Sequence, residues 1–195
     1  MFGYQTHIKR ILDVFLALIL SILLMPLTGL IAMSILVFDT RPVMFKQSRL
    51  GKNNKPFILY KFRTLAVKGY SDFEFSHEDV TKMGRFLRAS GFDEIPQLLN
   101  VIKGEMSLVG PRPLPEEYVD LLNGYSKTRS LIKPGITGLV QTKGGNELDW
   151  PERFRLDDAY ASDISFKKDI IILLKTVLSP FKTKITQSKT LTHSI

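Results

Sequence analysis

Apolar positions are spread unevenly along the chain. Residues 11–38 form a run of 28 with one charge, Asp13, longer than the roughly 20 apolar residues with which a helix crosses a bilayer. Its interior predicts a break. Pro26 lacks a backbone donor and crowds the carbonyl four residues earlier. Gly29 follows within a turn and Ser21 precedes by five residues. The Ser21 hydroxyl is a candidate partner for backbone groups freed at the break. The pieces 11–25 and 27–38 would reach only about 22 and 18 Å at about 1.5 Å per residue. The run is too long for a cleaved leader, and no small-x-small pattern follows it.

Beyond the run, the pattern shortens. Residues 42–45 and 57–65 read as strands, with 51–56 a turn between them and 66–79 a polar loop. Residues 81–90 predict a helix with Met83, Phe86 and Leu87 on one side. Asp93 starts another, with Pro96 in its first turn, Ile95, Leu98, Leu99 and Ile102 inward, and Gly104 as its stop. Gly110-Pro111-Arg112-Pro113 is irregular, 115–125 an amphipathic helix suited to an interface, and 134–138 a tight loop. Residues 170–178 are apolar nearly all round, and 181–195 form a polar, basic tail expected to be disordered. The fold class predicted is α+β, mostly helical. It divides into a re-entrant membrane helix over 1–40, broken near Pro26, a second domain over 41–180 and the tail over 181–195.

Composition changes this picture in two ways. There are 27 Lys and Arg against 19 Asp and Glu, a net charge of +8, which suits an anionic partner. Basic residues also flank the apolar run on both sides: Lys9 and Arg10 before it, and Arg41, Lys46, Arg49, Lys52 and Lys55 after it. Positive flanks favour the cytoplasmic side. A straight span cannot put both there, whereas a helix broken at Pro26 and dipping into one leaflet can. The chain has no cysteine, and His7, His77 and His193 are too far apart for a zinc-ligand spacing.

The candidate chemistry lies mid-chain, where Arg63, Arg85, Arg88 and Arg112 surround the acidic pair Asp93-Glu94 in sequence. Guanidinium groups take phosphate oxygens in bidentate fashion. A carboxylate can attack phosphorus to give an acyl phosphate. Because nucleophile and phosphate are both anionic, such a reaction needs cations to offset the repulsion, and magnesium takes carboxylate and phosphate oxygens. On the pair alone, an Asp at a helix start is more often an N-cap.

Order and spacing add to this. The chain carries Lys9-Arg10 with Asp13, then Pro26, Gln47-x-Arg49-x-Gly51, Tyr60-Lys61-Phe62-Arg63-Thr64 and Gly84-Arg85-Phe86-Leu87-Arg88. Asp93-Glu94-Ile95-Pro96-Gln97, the block from Asn100 to Pro113, and Lys133-Pro134-Gly135-Ile136-Thr137-Gly138 follow. Trp150, Asp157, Tyr160 and Asp169 complete the set. In these it resembles the monotopic phosphoglycosyl transferases, or bacterial sugar transferases, over about residues 8–177.

The resemblance implies a two-step reaction at the cytoplasmic face of a bacterial inner membrane, in an enzyme inserted in one leaflet. Asp93 would attack the β-phosphate of a UDP-sugar and release UMP. The phosphosugar would then pass to polyprenyl (undecaprenyl) phosphate, starting a surface glycan. Glu94 would help hold Mg2+ with Asp93 or handle the acceptor's proton. Arg88 and Arg112 would neutralise phosphates, with Lys61 and Arg63 as further candidates. The helix break would lie near Ser21 and Pro26, among membrane lipid. Three stretches depart from the family pattern, the first being Leu139-Val140-Gln141-Thr142, where Leu-Ala-Gln-Val is usual. Gly145 replaces the arginine usual beside Asn146, and Gly91-Phe92 stands where a leucine usually precedes the dyad. Larger relatives carry a multi-span N-terminal domain, and this chain looks like the minimal catalytic form. The alternatives are a glycosyltransferase that forms no carboxylate–phosphate bond, and a membrane-anchored basic module binding acidic lipid or nucleic acid. The second rests on net charge alone, since the aromatics are not interleaved with basic residues as in single-strand binders. No nucleic acid is expected among the partners.

Overall fold

The structure is a computed structural model that describes residues 4–38, 41–66, 79–126 and 128–178. The expected loop at 66–79, apart from its two ends, and the tail at 181–195 lie outside the described residues.

The apolar run folds as two helices, α1 (Lys9–Leu23) and α2 (Met25–Phe38), bent by 60° at their junction. Pro26 causes the bend. It falls in the first turn of α2, where its missing N–H costs little, and it cannot continue the ladder of α1. Leu24 N donates to the Leu20 carbonyl at 2.9 Å, and the ladder resumes with Thr28 N to the Leu24 carbonyl at 2.8 Å. Ser21 does not serve the junction as expected. Its Oγ donates to the Ala17 carbonyl at 2.7 Å, because a helical serine reaches back to the turn before it. Among the described residues no single helix is long and apolar enough to cross a membrane, although the bent pair together passes that test of length and composition.

Both helices pack on the remainder of the chain along narrow stripes. Ala17 of α1 joins a core with Val101, Met106, Leu108 and Tyr160, and Ile31 and Ile35 of α2 join a second core with Phe62 and Leu87. Their other faces are apolar and exposed, including Ile11, Phe15, Ile22, Leu23, Leu30, Met33 and Phe38.

β1 (Met44–Leu50) and β2 (Pro56–Phe62) form an antiparallel hairpin, with Met44 opposite Phe62 and Leu50 opposite Pro56. β1 runs past the expected 42–45 into the polar sequence Lys46-Gln47-Ser48-Arg49, because pairing with β2 satisfies its backbone whatever the side chains. α3 (Lys82–Ser90) is capped by Thr81, whose side chain accepts from Gly84 N. A 3-10 turn over Phe92–Gln97 then leads into α4 (Leu98–Lys103), where a helix from Asp93 was expected. Gly104, at φ 89°, ends α4 as predicted.

β3 (Ser107–Val109) pairs in parallel with β4 (Gly135–Thr137), so the expected loop at 134–138 is partly a strand. Gly135 makes this possible: a Cβ there would sit 2.0 Å from Gly110 N. Between them lies α5 (Val119–Tyr125), behind a 3-10 turn over Glu116–Tyr118. α6 (Leu139–Thr142), α7 (Trp150–Ser162) and α8 (Phe166–Leu178) complete the chain. The architecture is mostly helical, with two small two-stranded sheets.

A buried polar cluster joins α1 to this body. Lys9 Nζ lies 2.6 Å from Asp169 Oδ2 in α8 and 3.8 Å from Asp13 Oδ1. Asp13 accepts from Ser107 Oγ at 2.7 Å and Leu108 N at 3.2 Å, both on β3. Asp169 also accepts from the hydroxyls of Tyr4 at 2.7 Å and Tyr160 at 2.6 Å. Burial, more than the adjacent carboxylates, pushes both phenols above the ordinary tyrosine range, so they stay protonated donors. Lys9, expected as one of the basic flanks of the apolar run, is therefore an internal counterion. Lys9→Met should lower the unfolding free energy in detergent by about 3–5 kcal/mol, since it leaves two buried carboxylates unopposed. Lys9→Met with Asp169→Leu should recover part of the loss. Denaturant titration measures both, and a single-variant change below about 1 kcal/mol would contradict a structural role for the cluster.

Candidate active site

Asp93 is held by a sequence of tight local constraints. Gly84 lets α3 lie directly on the chain after β2, since a Cβ there would stand 2.2 Å from the Thr64 carbonyl oxygen. Thr81 N donates to that same carbonyl at 3.0 Å. α3 ends at Gly91, which adopts φ 73° and turns the chain into the 3-10 segment bearing Asp93 and Glu94. Glu94 N donates to the Gly91 carbonyl at 3.2 Å. The N-cap of that segment is Gly91, so Asp93 is not a capping residue. On the far side, Asn100 ties α4 to β2. Its Nδ2 donates to the Ile58 carbonyl at 2.7 Å and its Oδ1 accepts from Tyr60 N at 3.2 Å.

Asp93 is buried, and among the described residues its carboxylate accepts no hydrogen bond. Burial, with the neighbouring Glu94, raises its pKa to about 6, while Lys61, Arg88 and Arg112 act in the opposite direction. Three of the five cations singled out in the sequence thus act on one carboxylate. Lys61, on β2, lies 3.6 Å from Glu94 Oε1, and Arg112 NH1 lies 3.2 Å from the same oxygen. Arg88, in the last turn of α3, is oriented by a 2.8 Å bond from its Nε to Thr64 Oγ1. Lys61 is almost fully covered, whereas the Arg112 side chain is 44% exposed, so the cations form one wall and one open edge.

The other arginines are placed differently. Arg63 donates from Nε to the Pro42 carbonyl at 2.9 Å and pins the end of β2 to the chain entering β1. Arg85 NH1 approaches the Val80 carbonyl at 3.4 Å.

Residues outside the sequence expectation hold Arg112 in place. Arg129 pairs through Nε with Asp157 Oδ2 at 2.7 Å, both buried, and donates from NH2 to the Arg112 carbonyl. Burial holds the Asp157 carboxyl above its ordinary range even though Arg129 opposes the shift. The next residue, Asp158, accepts at Oδ1 from Ser126 Oγ, Thr128 N and Arg129 N, which fixes the loop carrying Arg129. Asp157 was noted in the sequence only as part of a motif. The acidic pair on a helix opposite a loop arginine was a signal available there.

Asp93 and Glu94 also fit magnesium by their chemistry. Among the described residues no group of three or more His, Cys, Asp or Glu could hold a metal. Two adjacent carboxylates do supply the hard oxygens that magnesium combines with substrate phosphates.

The family described as bacterial sugar transferase matches residues 4–183. The chain is 47% identical over 138 residues to "Uncharacterized sugar transferase EpsL" of Bacillus subtilis (strain 168), covering 70% of this chain and 68% of that one. It is 37% identical over 195 residues to the "UDP-glucose:undecaprenyl-phosphate glucose-1-phosphate transferase" of Klebsiella pneumoniae, covering 93% of this chain. It spans only 42% of the length of that relative. It is also 34% identical over 188 residues to "Exopolysaccharide production protein ExoY" of Rhizobium meliloti (strain 1021), covering 87% and 83% of the two chains. With a family match over nearly the whole chain, and a buried acidic pair ringed by cations inside it, the chain belongs to the bacterial sugar transferase family.

Proposed function

We propose that the protein moves a sugar 1-phosphate from a UDP-sugar to polyprenyl phosphate through a covalent intermediate on Asp93. The observation that carries this reading is the Asp93 carboxylate itself: buried, without a hydrogen bond among the described residues, and surrounded by Lys61, Arg88 and Arg112. A structural carboxylate in such company would be bonded to one of them. The names of relatives support the substrate classes, since several are undecaprenyl-phosphate glucose-1-phosphate or galactose phosphotransferases.

In the first step an Asp93 carboxylate oxygen bonds to the β-phosphorus, and the bond from that phosphorus to the bridging oxygen breaks. UMP leaves with the electron pair. Lys61, Arg88 and Arg112 offset the charge of the diphosphate as it meets the nucleophile. In the second step a phosphate oxygen of the acceptor attacks the same phosphorus, the Asp93–phosphorus bond breaks, and a polyprenyl diphosphate sugar results. Asp93 and Glu94 would hold magnesium, which when bound supplies further neutralisation of the phosphate charge. Glu94 keeps Lys61 and Arg112 on one side of the dyad through its Oε1.

The bent helix pair is read as a wedge in one leaflet at the cytoplasmic face of a bacterial membrane. Each helix, of 15 and 14 residues, is too short to span the hydrocarbon core. Both expose apolar faces away from the body of the protein. A wedge would keep Asp93 near headgroup level, where a soluble nucleotide sugar and a lipid phosphate both arrive.

Intact mass after incubation with a panel of UDP-sugars and magnesium should show a gain of one phosphosugar in the wild type and none in Asp93→Asn. UMP release should fall in that variant by at least about a thousandfold, a loss in the range seen when one essential group is removed. UMP release that persists in Asp93→Ala would overturn the mechanism.

The pH dependence follows from Asp93. Its pKa is raised to about 6, so the reactive carboxylate forms as pH climbs through that value and kcat/KM should rise with it. Arg88→Gln removes a cation that lowers the pKa, and should move this limb to higher pH. The same raised pKa means that the ionised group costs stability above about pH 6. Asp93→Asn should therefore unfold no more easily than wild type at pH 7.5, and no less easily only once the pH falls below about 4. An unmoved limb in Arg88→Gln would contradict the assignment.

A further inference from the structure

At the end of α4 away from Asp93, three cations gather, and among the described residues none of them forms an ion pair with a carboxylate. Arg10, in the first turn of α1, donates from NH1 and NH2 to the Val101 and Ile102 carbonyls at 2.5 and 2.9 Å. It thereby satisfies the last turn of α4 and fixes its own guanidinium there. Lys133 reaches the same place from the chain before β4. A Cβ on Gly104 would stand 3.2 Å from Arg10 NH2 and 3.6 Å from Lys133 Nζ, so the two cationic heads converge on one point. Lys52 lies in the turn between β1 and β2, which packs against Arg129–Leu131 just before Lys133, and it adds a third positive charge.

Lys133 is partly buried, and among the described residues its Nζ makes no hydrogen bond or ion pair. The opposing charge that acts on it is Asp13, whose oxygens are already committed to Ser107, Leu108 and Lys9. Burial, then Arg10 and Lys52, hold its ammonium below the ordinary lysine pKa range. The short helix α4 does not account for it, since Arg10 takes the carbonyls that would attract a second cation. Three converging cations, one partly desolvated and unbonded, are unfavourable alone and become favourable when an anion is shared among them.

We infer that Arg10, Lys52 and Lys133 form a binding site for the phosphate of a membrane lipid headgroup. A phosphate offers several acceptor oxygens and a negative charge, which suits two ammonium groups and the edge of a guanidinium. The surroundings favour a lipid over free phosphate. Ile11, the first residue of the apolar run, follows Arg10 and is 66% exposed, and Leu131, two residues before Lys133, is 56% exposed. An anion with an apolar tail contacts both. This inference rests on the membrane placement of α1 and α2, and is independent of the chemistry at Asp93.

The test compares the full chain with Lys133→Met by native mass spectrometry, from micelles doped with phosphatidylglycerol or, separately, phosphatidylcholine. Wild type should retain phosphatidylglycerol about tenfold more than Lys133→Met, the change expected for loss of one charge-assisted hydrogen bond. Lys133→Arg should keep most of the retention. In lipid-free detergent Lys133→Met should melt no lower than wild type, because only an unpaired charge is removed. Equal retention in wild type and Lys133→Met, or a marked loss of stability without lipid, would overturn the site. Displacement of phosphatidylglycerol by millimolar inorganic phosphate would overturn the lipid assignment in favour of free phosphate. Formation of the Asp93 adduct by Lys133→Met separates a failure here from a failure of the transferase reading.

Discussion

One ammonium group, that of Lys9, ties the apolar helices α1 and α2 to the rest of the molecule. It sits between the carboxylates of Asp169 and Asp13, which in turn hold Tyr4, Tyr160, Ser107 and Leu108. Those residues belong to the π-helical turn Tyr4–Ile8, α1, α7, α8 and β3, so a single buried cluster sets the angle at which the apolar helices leave the body. A polar cluster of this kind is expensive to bury unless every member is satisfied. Here each carboxylate oxygen has at least one donor, and the arrangement specifies one orientation where apolar packing along Ala17 and its neighbours would admit several. The orientation carries over to the site, because α4, which Arg10 grips at its far end, follows directly on the turn that carries Asp93 and Glu94.

The site shows the opposite economy. Lys9 is paired with two carboxylates, whereas Asp93 is buried and left without a hydrogen bond among the described residues. The surrounding cations are instead held by other partners: Arg88 by Thr64, Lys61 and Arg112 by Glu94, and the Arg112 backbone by Arg129. Positive charge is thus fixed near Asp93 without quenching it. That is the arrangement expected where an anionic nucleophile must meet an anionic substrate.

Much of this was legible in the sequence, for identifiable reasons. The break at Pro26 follows from the chemistry of proline, and the helix stop at Gly104 from its left-handed backbone. Asp93 and Glu94 stood out only through the order of motifs around them, since an Asp before an apolar helix has an ordinary use as a cap. What periodicity missed was structure made by long-range pairing. β4 looked like a tight loop because Gly135 and Pro134 are loop residues, yet the absence of a Cβ is what lets it lie against Gly110. α7 went unassigned because its buried residues include Asp157 and Tyr160, which blur an apolar stripe. Its start was nonetheless marked by Asp149, which caps Glu152 N, and by Pro151. Lys9 and Arg10 were read as basic flanks that favour the cytoplasmic side of a membrane. Only the fold shows that one is an internal counterion and the other a helix cap.

In the proposed placement, α1 and α2 form a wedge that enters and leaves the membrane on one side. The cysteine-free chain allows it to be tested directly. Single cysteines at Gln5 and Asn53, both exposed in the structure, flank the wedge, and one at Leu23, 69% exposed beside the bend, marks its tip. In sealed inverted and right-side-out vesicles, a membrane-impermeant maleimide should reach Gln5→Cys and Asn53→Cys from the cytoplasmic side alone, and should reach Leu23→Cys from neither side. Labelling of Gln5→Cys and Asn53→Cys from opposite sides would mean that the helices span the bilayer, and would contradict the account.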